Sequence, residues 1–292
     1  MKIGFIGLGI MGKPMAKHMV SAGHELFVSD LNVEAVNELV NLGAQAATPR
    51  EIAENTEVII TMLPNGAIVK TVVTDGPDAL IDYLDKHHFI IDMSSLTPDD
   101  SKYLGEKLSV KGARFADAPV SGGEPLAITG ELAVMVGCAE EDLEYIKQVI
   151  APMSKSVIRV GDIGSGSLVK LANQIIVNSN IVALSEAVVL GKKFDIDLEA
   201  MFEAIRYGLA GSAVMEAKFP KMIAEDYQPG GTININYKDL KNVVSTCDNN
   251  NITLPVVNMV KELYKSEVAV GHGLNDHSGV IKYIERINGM EE

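Results

Sequence analysis

The feature that most constrains this chain is its stretch 4–19, GFIGLGIMGKPMAKHM. It begins as an apolar run of strand length and ends as the first turns of an amphipathic helix. Gly7, Gly9 and Gly12 sit where the two meet, in the spacing G-x-G-x-x-G. A strand that turns directly into a helix leaves backbone N–H groups exposed at the helix N-terminus, where an anion binds. The first glycine permits the tight turn, the second lets a pyrophosphate approach the backbone, and the third lets helix and strand pack closely. Gly7, Leu8, Gly9, Ile10, Met11 and Gly12 are therefore expected to hold a dinucleotide. The motif alone is a weak signal, and its place between strand and helix is what strengthens it.

The second strand, ELFVSD, ends in Asp30. A carboxylate there bonds the adenosine ribose hydroxyls and repels a 2′-phosphate. Leu31 and Asn32 bring no arginine to neutralise such a phosphate, so NAD is expected over NADP. Asp30 also reads as the N-cap of the following helix, a role that Asn32 could fill as well.

Up to about residue 162 the chain alternates short apolar runs with amphipathic stretches. After KIGFIG and ELFVSD come EVIITML, HFIIDMSS, ARFADAPVSGG, LAVMVG and SVIRVGD. Val/Ile-rich runs separated by helices predict βαβ units and a largely parallel sheet over residues 1–162. Beyond Gly161 the rhythm changes. Residues 166–194 read as one helix of about 40 Å at 1.5 Å rise per residue. DLEAMFEAIRYG, KDLKNVVSTCDNN, PVVNMVKELYKSEVAVG and HSGVIKYIERING are further helical stretches, so 163–292 is expected to be an all-α domain.

Hydrophobic residues make up 47% of the 292 residues and charged ones 22%, the balance of a soluble globular protein. Net charge is -14, from 39 acidic and 25 basic residues. Such a surface repels nucleic acid and anionic membranes, while local cations still allow a small anionic substrate. Cys138 and Cys247 lie far apart in no metal-ligand spacing, and read as small core residues in a reducing cytoplasm. His18, His24, His87, His88, His272 and His277 form no ligand pattern, so no metal is expected, and His87 and His88 are expected to face solvent. Because the chain goes directly into KIGFIGLG, no signal peptide is expected. The apolar stretch IIVNSNIVALSEAVVLG is broken by Asn178, Ser179, Asn180, Ser185 and Glu186, and reads as a buried helix of a soluble protein.

Three more stretches carry chemistry. In DAPVSGGEPLAITG (117–130), Ser121, Gly122 and Gly123 offer a hydroxyl and backbone N–H groups beyond a strand end, a nest suited to a carboxylate. The same residues read equally as an ordinary turn. In GDIGSGSLVKLANQ (161–174), Lys170, Asn173 and Gln174 share one helical face by their spacing. Alone, Lys170 reads as a snorkelling surface lysine, and it gains weight from the dinucleotide turn and the nest before it. INYKDLKN places Lys238 and Asp239 at the start of a later helix and says little by itself.

Together these four stretches resemble the β-hydroxyacid dehydrogenase family, from residue 3 to about 284, in order and at family spacing. The resemblance implies a Rossmann domain joined by a long helix to an all-α domain, with oligomerisation through the helices as a homodimer or homotetramer. It implies Lys170 as general acid/base, with Ser121, Gly122 and Gly123 holding a substrate carboxylate. Asn173 or Gln174 would orient the substrate. Leu63 and Pro64 of TMLPN and Ser95 of DMSSLTP would line the cofactor cleft, and Lys238 would close over the nicotinamide side. Many members carry asparagine four residues after the lysine, where this chain has Gln174. VSGGEP, KLANQ and AIRYGLAGS are most similar to the branch that reduces tartronate semialdehyde to D-glycerate. Members acting on 3-hydroxyisobutyrate or 2-(hydroxymethyl)glutarate share the main motifs. A non-catalytic NAD-binding sensor and an imine-reducing relative are the other readings. Lys170 argues against the sensor, and imine-reducing relatives are expected to lack that lysine.

Overall fold

The computed structural model describes residues 1–228 and 230–290. Among the described residues nine strands form one sheet: β1 (Lys2–Ile6), β2 (Glu25–Ser29), β3 (Gln45–Ala46), β4 (Val58–Thr61), β5 (Phe89–Asp92), β6 (Arg114–Asp117), β7 (Val120–Ser121), β8 (Leu132–Gly137) and β9 (Ser154–Gly161). Their spatial order is β3-β2-β1-β4-β5-β6-β8-β7, and β9 also pairs with β8. The first six strands are parallel, whereas β8 runs antiparallel to both β6 and β7. Chain order reverses between β1 and β4, and the crevice beyond their C-terminal ends is where a doubly wound sheet receives its ligand.

Neighbouring residues on a strand face opposite sides of a sheet. Val58 and Ile60 accordingly join one apolar core with Ile3, Phe5, Phe89 and Ile91, while Ile59 joins a second with Ile6, Phe27 and Ile90. Both faces are covered, which is why these runs are continuously apolar. Each such fully buried side chain contributes about 1.5–3 kcal/mol. The stretch ARFADAPVSGG, read above as one strand, is broken into β6 and β7. Pro119 sits between them and has no N–H to continue a ladder.

The covering helices of this first part are α1 (Gly12–Ser21), α2 (Val33–Val40), α3 (Pro49–Asn55), α4 (Gly66–Lys70), α5 (Pro98–Ser109), α6 (Gly123–Thr129) and α7 (Leu143–Ile150). Local chemistry starts several of them. Thr48 and Glu51 form a reciprocal capping box on α3, and Thr97 caps α5 just before Pro98. The expected long helix is α8 (Ser165–Lys193), followed by α9 (Leu198–Ile205), α10 (Ala213–Ala224), α11 (Ile233–Asn249), α12 (Pro255–Ala269) and α13 (Ile281–Ile287).

The chain divides into two compact units, Met1–Lys170 and Leu171 to the C-terminus, so the division falls within α8. The second unit has its own core, built on Leu171, Val188, Phe219, Leu240, Val243 and Tyr264. Asn178 and Ser185 of α8 are fully buried, and the Asn178 Nδ2 and Ser185 Oγ donors are each satisfied by the carbonyl four residues earlier. Among the described residues α8 is the one helix long and apolar enough to cross a membrane, and half of its most apolar window is buried inside the protein.

Cys138 and Cys247 are free and buried. His87 is exposed, but His88 is buried, contrary to the expectation above. Its Nε2 meets the Ala53 carbonyl and its Nδ1 meets the Asp85 N–H and carboxylate. A polar ring with partners at both nitrogens can be buried without the cost of unmet hydrogen bonds. Among the described residues no group of His, Cys, Asp and Glu could hold a metal ion.

Candidate active site

Three glycines do three different things at the β1–α1 turn. Gly7 has φ +101°, and a Cβ there would lie 2.2 Å from the Met62 carbonyl oxygen. Gly12 is sealed against the turn, since its Cβ would lie 1.9 Å from the Gly7 carbonyl oxygen. Gly9 faces open space, with nothing within 4 Å of the position a Cβ would take. That is the cradle a pyrophosphate needs, at the start of a helix with no side-chain cap. A groove of about 530 Å³ borders it, lined by Leu8, Gly9, Ile10, Lys13, Asn32 and Glu124 among others.

Asp30, just past β2, locks this turn. Its Oδ2 accepts the Leu8 N–H at 2.5 Å and its Oδ1 the Asn32 N–H at 2.7 Å. Asn32, not Asp30, caps α2 by accepting from Glu34 and Ala35 N–H. Each Asp30 oxygen retains a second lone pair, so the carboxylate still suits ribose hydroxyls.

Leu63 and Pro64 follow β4, and Ser95 follows β5. A buried network beneath them escaped the sequence reading. The Leu63 N–H donates to Ser94 Oγ (2.9 Å), while Ser94 Oγ and Thr61 Oγ1 both donate to Asp92 Oδ1, at 2.6 and 2.7 Å. It ties the ends of β4 and β5 together and so fixes the two loops expected to line the cleft. HFIIDMSS contains Asp92 and Ser94, but the apolar run before them drew attention as strand only.

Ser121 ends β7. Gly122 and Gly123 follow with φ +137° and +63°, and Gly123 opens α6. A Cβ on Gly122 would lie 2.6 Å from that of Leu126. All three residues are half-buried, so their polar groups are within reach of a small ligand.

Asp117, at the end of β6, was the larger omission. It is fully buried. Its Oδ1 accepts the Gly164 N–H and its Oδ2 the Ser167 N–H, both at 2.7 Å. Burial pushes its carboxyl up to about 6 against the opposing pull of those hydrogen bonds. A raised folded-state value means the folded protein favours the protonated form. The resulting stability is complete below the ordinary value of 3.8 and is lost as pH rises through about 6. At about 1.4 kcal/mol per unit this is about 3 kcal/mol. Asp117→Asn cannot ionise. Urea unfolding at pH 4 and pH 7.5 is therefore expected to show wild type losing stability relative to the variant by that order as pH rises. A pH-independent difference between the two would show that folding does not raise the Asp117 carboxyl.

Lys170 is half-buried on α8, one turn beyond Ser167. In the second unit the two amides that follow it differ in kind. Gln174 is buried, and its Nε2 donates to Asp239 Oδ2 (2.6 Å) and Asn236 Oδ1 (3.3 Å). Asn173 is half-buried and donates to Gln174 Oε1 at 3.0 Å. Asp239 is buried on α11 and pairs with Lys238 at 2.9 Å. The structure thus joins Asn173, Gln174, Asp239 and Lys238 in one polar chain, with Asn236 as a member that the sequence did not single out.

The family model described as the NAD binding domain of 6-phosphogluconate dehydrogenase matches residues 2–161. That described as NAD-binding of NADP-dependent 3-hydroxyisobutyrate dehydrogenase matches residues 164–284. The chain is 37% identical to 2-(hydroxymethyl)glutarate dehydrogenase of Eubacterium barkeri, over 99% of this chain and 96% of that protein. It is 36% identical to 2-hydroxy-3-oxopropionate reductase of Escherichia coli K12, over 98% of this chain and 97% of the other. Among solved structures, 3-hydroxyisobutyrate dehydrogenase of Salmonella typhimurium matches with TM-score 0.86 at 29% identity, covering 96% of this chain and 99% of that one. The Mycobacterium tuberculosis 3-hydroxyisobutyrate dehydrogenase with L-serine matches with TM-score 0.88 at 27% identity, covering 97% and 98%.

Proposed function

From the premise that this chain belongs to the β-hydroxyacid dehydrogenase family and is an NAD(P)-dependent oxidoreductase acting on hydroxyacids, we propose that it reduces tartronate semialdehyde to D-glycerate with NADH. The observation that carries the dehydrogenase reading is the open cradle at Gly9 between the seals at Gly7 and Gly12. The substrate rests on the likeness of VSGGEP, KLANQ and AIRYGLAGS to that branch. The preference for NADH rests on Asp30 with no arginine beside it.

When bound, the nicotinamide supplies or accepts the hydride. Gly7 to Gly12 and Asp30 would hold the dinucleotide and Leu63, Pro64 and Ser95 would line its cleft, and the family resemblance gives Lys238 the nicotinamide side. Ser121, Gly122 and Gly123 hold the substrate carboxylate, which orients the aldehyde carbon. Lys170, as an ammonium, gives its proton to the aldehyde oxygen as the carbon is reduced. In the opposite direction neutral Lys170 accepts the hydroxyl proton. Asn173 is the better candidate for the amide that touches substrate, because Gln174 is engaged by Asp239 and Asn236. Exposed Leu168, Val169, Ile176 and Leu190 on α8 support a homodimer or homotetramer, and the two free buried thiols suit a cytoplasmic protein.

The second reading, 2-(hydroxymethyl)glutarate as substrate, is favoured by the 37% identical relative. NADH oxidation with tartronate semialdehyde, 2-formylglutarate and methylmalonate semialdehyde, each repeated with NADPH, separates them. The expected result is the highest kcat/KM for tartronate semialdehyde with NADH. A preference for 2-formylglutarate moves the protein to the other branch, and a preference for NADPH overturns the role given to Asp30. Tight NADH binding with no turnover of any of the three supports a sensor instead.

A further inference from the structure

We infer that Asp117 is a positioning residue for Lys170: its carboxylate clamps the first turn of α8 to the end of β6, and so sets where the lysine one turn later stands. The inference rests on the reading of Lys170 as the general acid/base. Each Asp117 oxygen takes one backbone N–H from a different side of the bend into α8, from Gly164 before the helix and from Ser167 within it. Backbone donors cannot change rotamer, so the geometry of the clamp is transmitted to the helix without slack.

The surroundings are shaped for that carboxylate. A Cβ on Gly137, the antiparallel partner of Asp117 on β8, would lie 2.3 Å from Asp117 Oδ1. A Cβ on Gly166 would lie 2.5 Å from the Met135 carbonyl oxygen and 2.6 Å from that of Asp117. Glycine at both places lets helix and strand close around the acid. Ser167 adds a second tie through its hydroxyl, 2.8 Å from that of Ser101 on α5. The first turn of α8 is thus held from β6 and from α5 at once. A buried ionisable group raised in pKa is a poor choice for stability alone, and such groups concentrate where geometry serves chemistry.

The test compares Asp117→Asn, which keeps one acceptor oxygen, with Asp117→Ala, which keeps none, and uses Lys170→Ala as reference. Three quantities are read: kcat and KM, NADH affinity by fluorescence, and amide hydrogen exchange over residues 164–170. A small displacement of a catalytic group can cost about 100-fold. The expected kcat is therefore roughly 10-fold lower for Asn and about 100-fold lower for Ala. NADH affinity should be unchanged, and exchange at 164–170 faster in the same order. Unaltered kcat in Asp117→Asn while Lys170→Ala is inactive overturns the inference and leaves the lysine's role standing. If Lys170→Ala keeps its turnover, the catalytic reading itself has failed, whatever Asp117 does. Unchanged exchange at 164–170 shows there is no clamp. Should neither Asp117 variant fold or bind NADH, the acid is structural and the positioning role is rejected.

Discussion

Lys170→Ala is expected to bind NADH as wild type does and to lose about 10² to 10⁴ in turnover, the usual worth of a positioned proton donor. The argument begins with sequence spacing and ends with the helix start. Lys170 is on α8, whose first turn is held by Asp117 and Ser101. The turn proposed to hold the dinucleotide is built by Gly7 to Gly12, with Asp30 accepting the Leu8 N–H. Loss of kcat should therefore separate cleanly from loss of NADH affinity. Lys170→Arg sharpens the test. A guanidinium keeps the charge but does not give up its proton near neutral pH. Turnover restored by arginine would assign the residue to charge and not to proton transfer. Near-normal turnover in Lys170→Ala removes it from the mechanism.

The parts of this protein that were legible in its sequence are those that depend on local spacing. G-x-G-x-x-G after KIGFIG locates the turn because all of its determinants lie within a few residues. The long helix was expected over 166–194 and spans Ser165–Lys193, because one uninterrupted pattern announces it. Contacts across the sequence were not legible in that way. Asp117 meets Gly164 and Ser167 only because β6 and the start of α8 converge, and nothing inside DAPVSGG sets the aspartate apart. Asp92, Ser94 and Thr61 form their network for the same reason, with the strands brought side by side by sheet order. Gln174 is the clearest case. Spacing put it on the same helical face as Lys170 and Asn173, but its partners Asn236 and Asp239 lie on α11. Which of two adjacent amides is engaged inside the fold is decided by tertiary contacts that helical periodicity does not encode. His88 was misjudged likewise, because the Ala53 carbonyl that accommodates its ring comes from α3.

The turn itself offers a prediction in which two neighbouring glycines should behave differently. Gly12→Ala would bring a Cβ to 1.9 Å from the Gly7 carbonyl oxygen. Gly7 has little freedom to yield. Its N–H is bonded to the Ser29 carbonyl at 2.9 Å, and a Cβ at its own position would lie 2.2 Å from the Met62 carbonyl oxygen. The collision must be relieved by moving α1 away from β1. That should cost about 1–3 kcal/mol of stability, as overpacking does, and should open the phosphate cradle as well. In Gly9→Val the new Cβ meets no atom of the fold within 4 Å, and φ at this residue is not positive. Its stability should stay within about 0.5 kcal/mol of wild type. The new side chain instead fills the space a pyrophosphate would enter, so NADH affinity is expected to fall by ~100-fold or more, equivalent to about 2.7 kcal/mol. Urea unfolding and NADH fluorescence titration on both variants give the comparison. Loss of both stability and affinity at Gly12, with loss of affinity alone at Gly9, is the pattern a phosphate-binding turn requires. Wild-type NADH affinity in Gly9→Val would show that the dinucleotide does not lie over this turn, and the assignments of Asp30, Leu63, Pro64 and Ser95 to the same cofactor would lose their anchor.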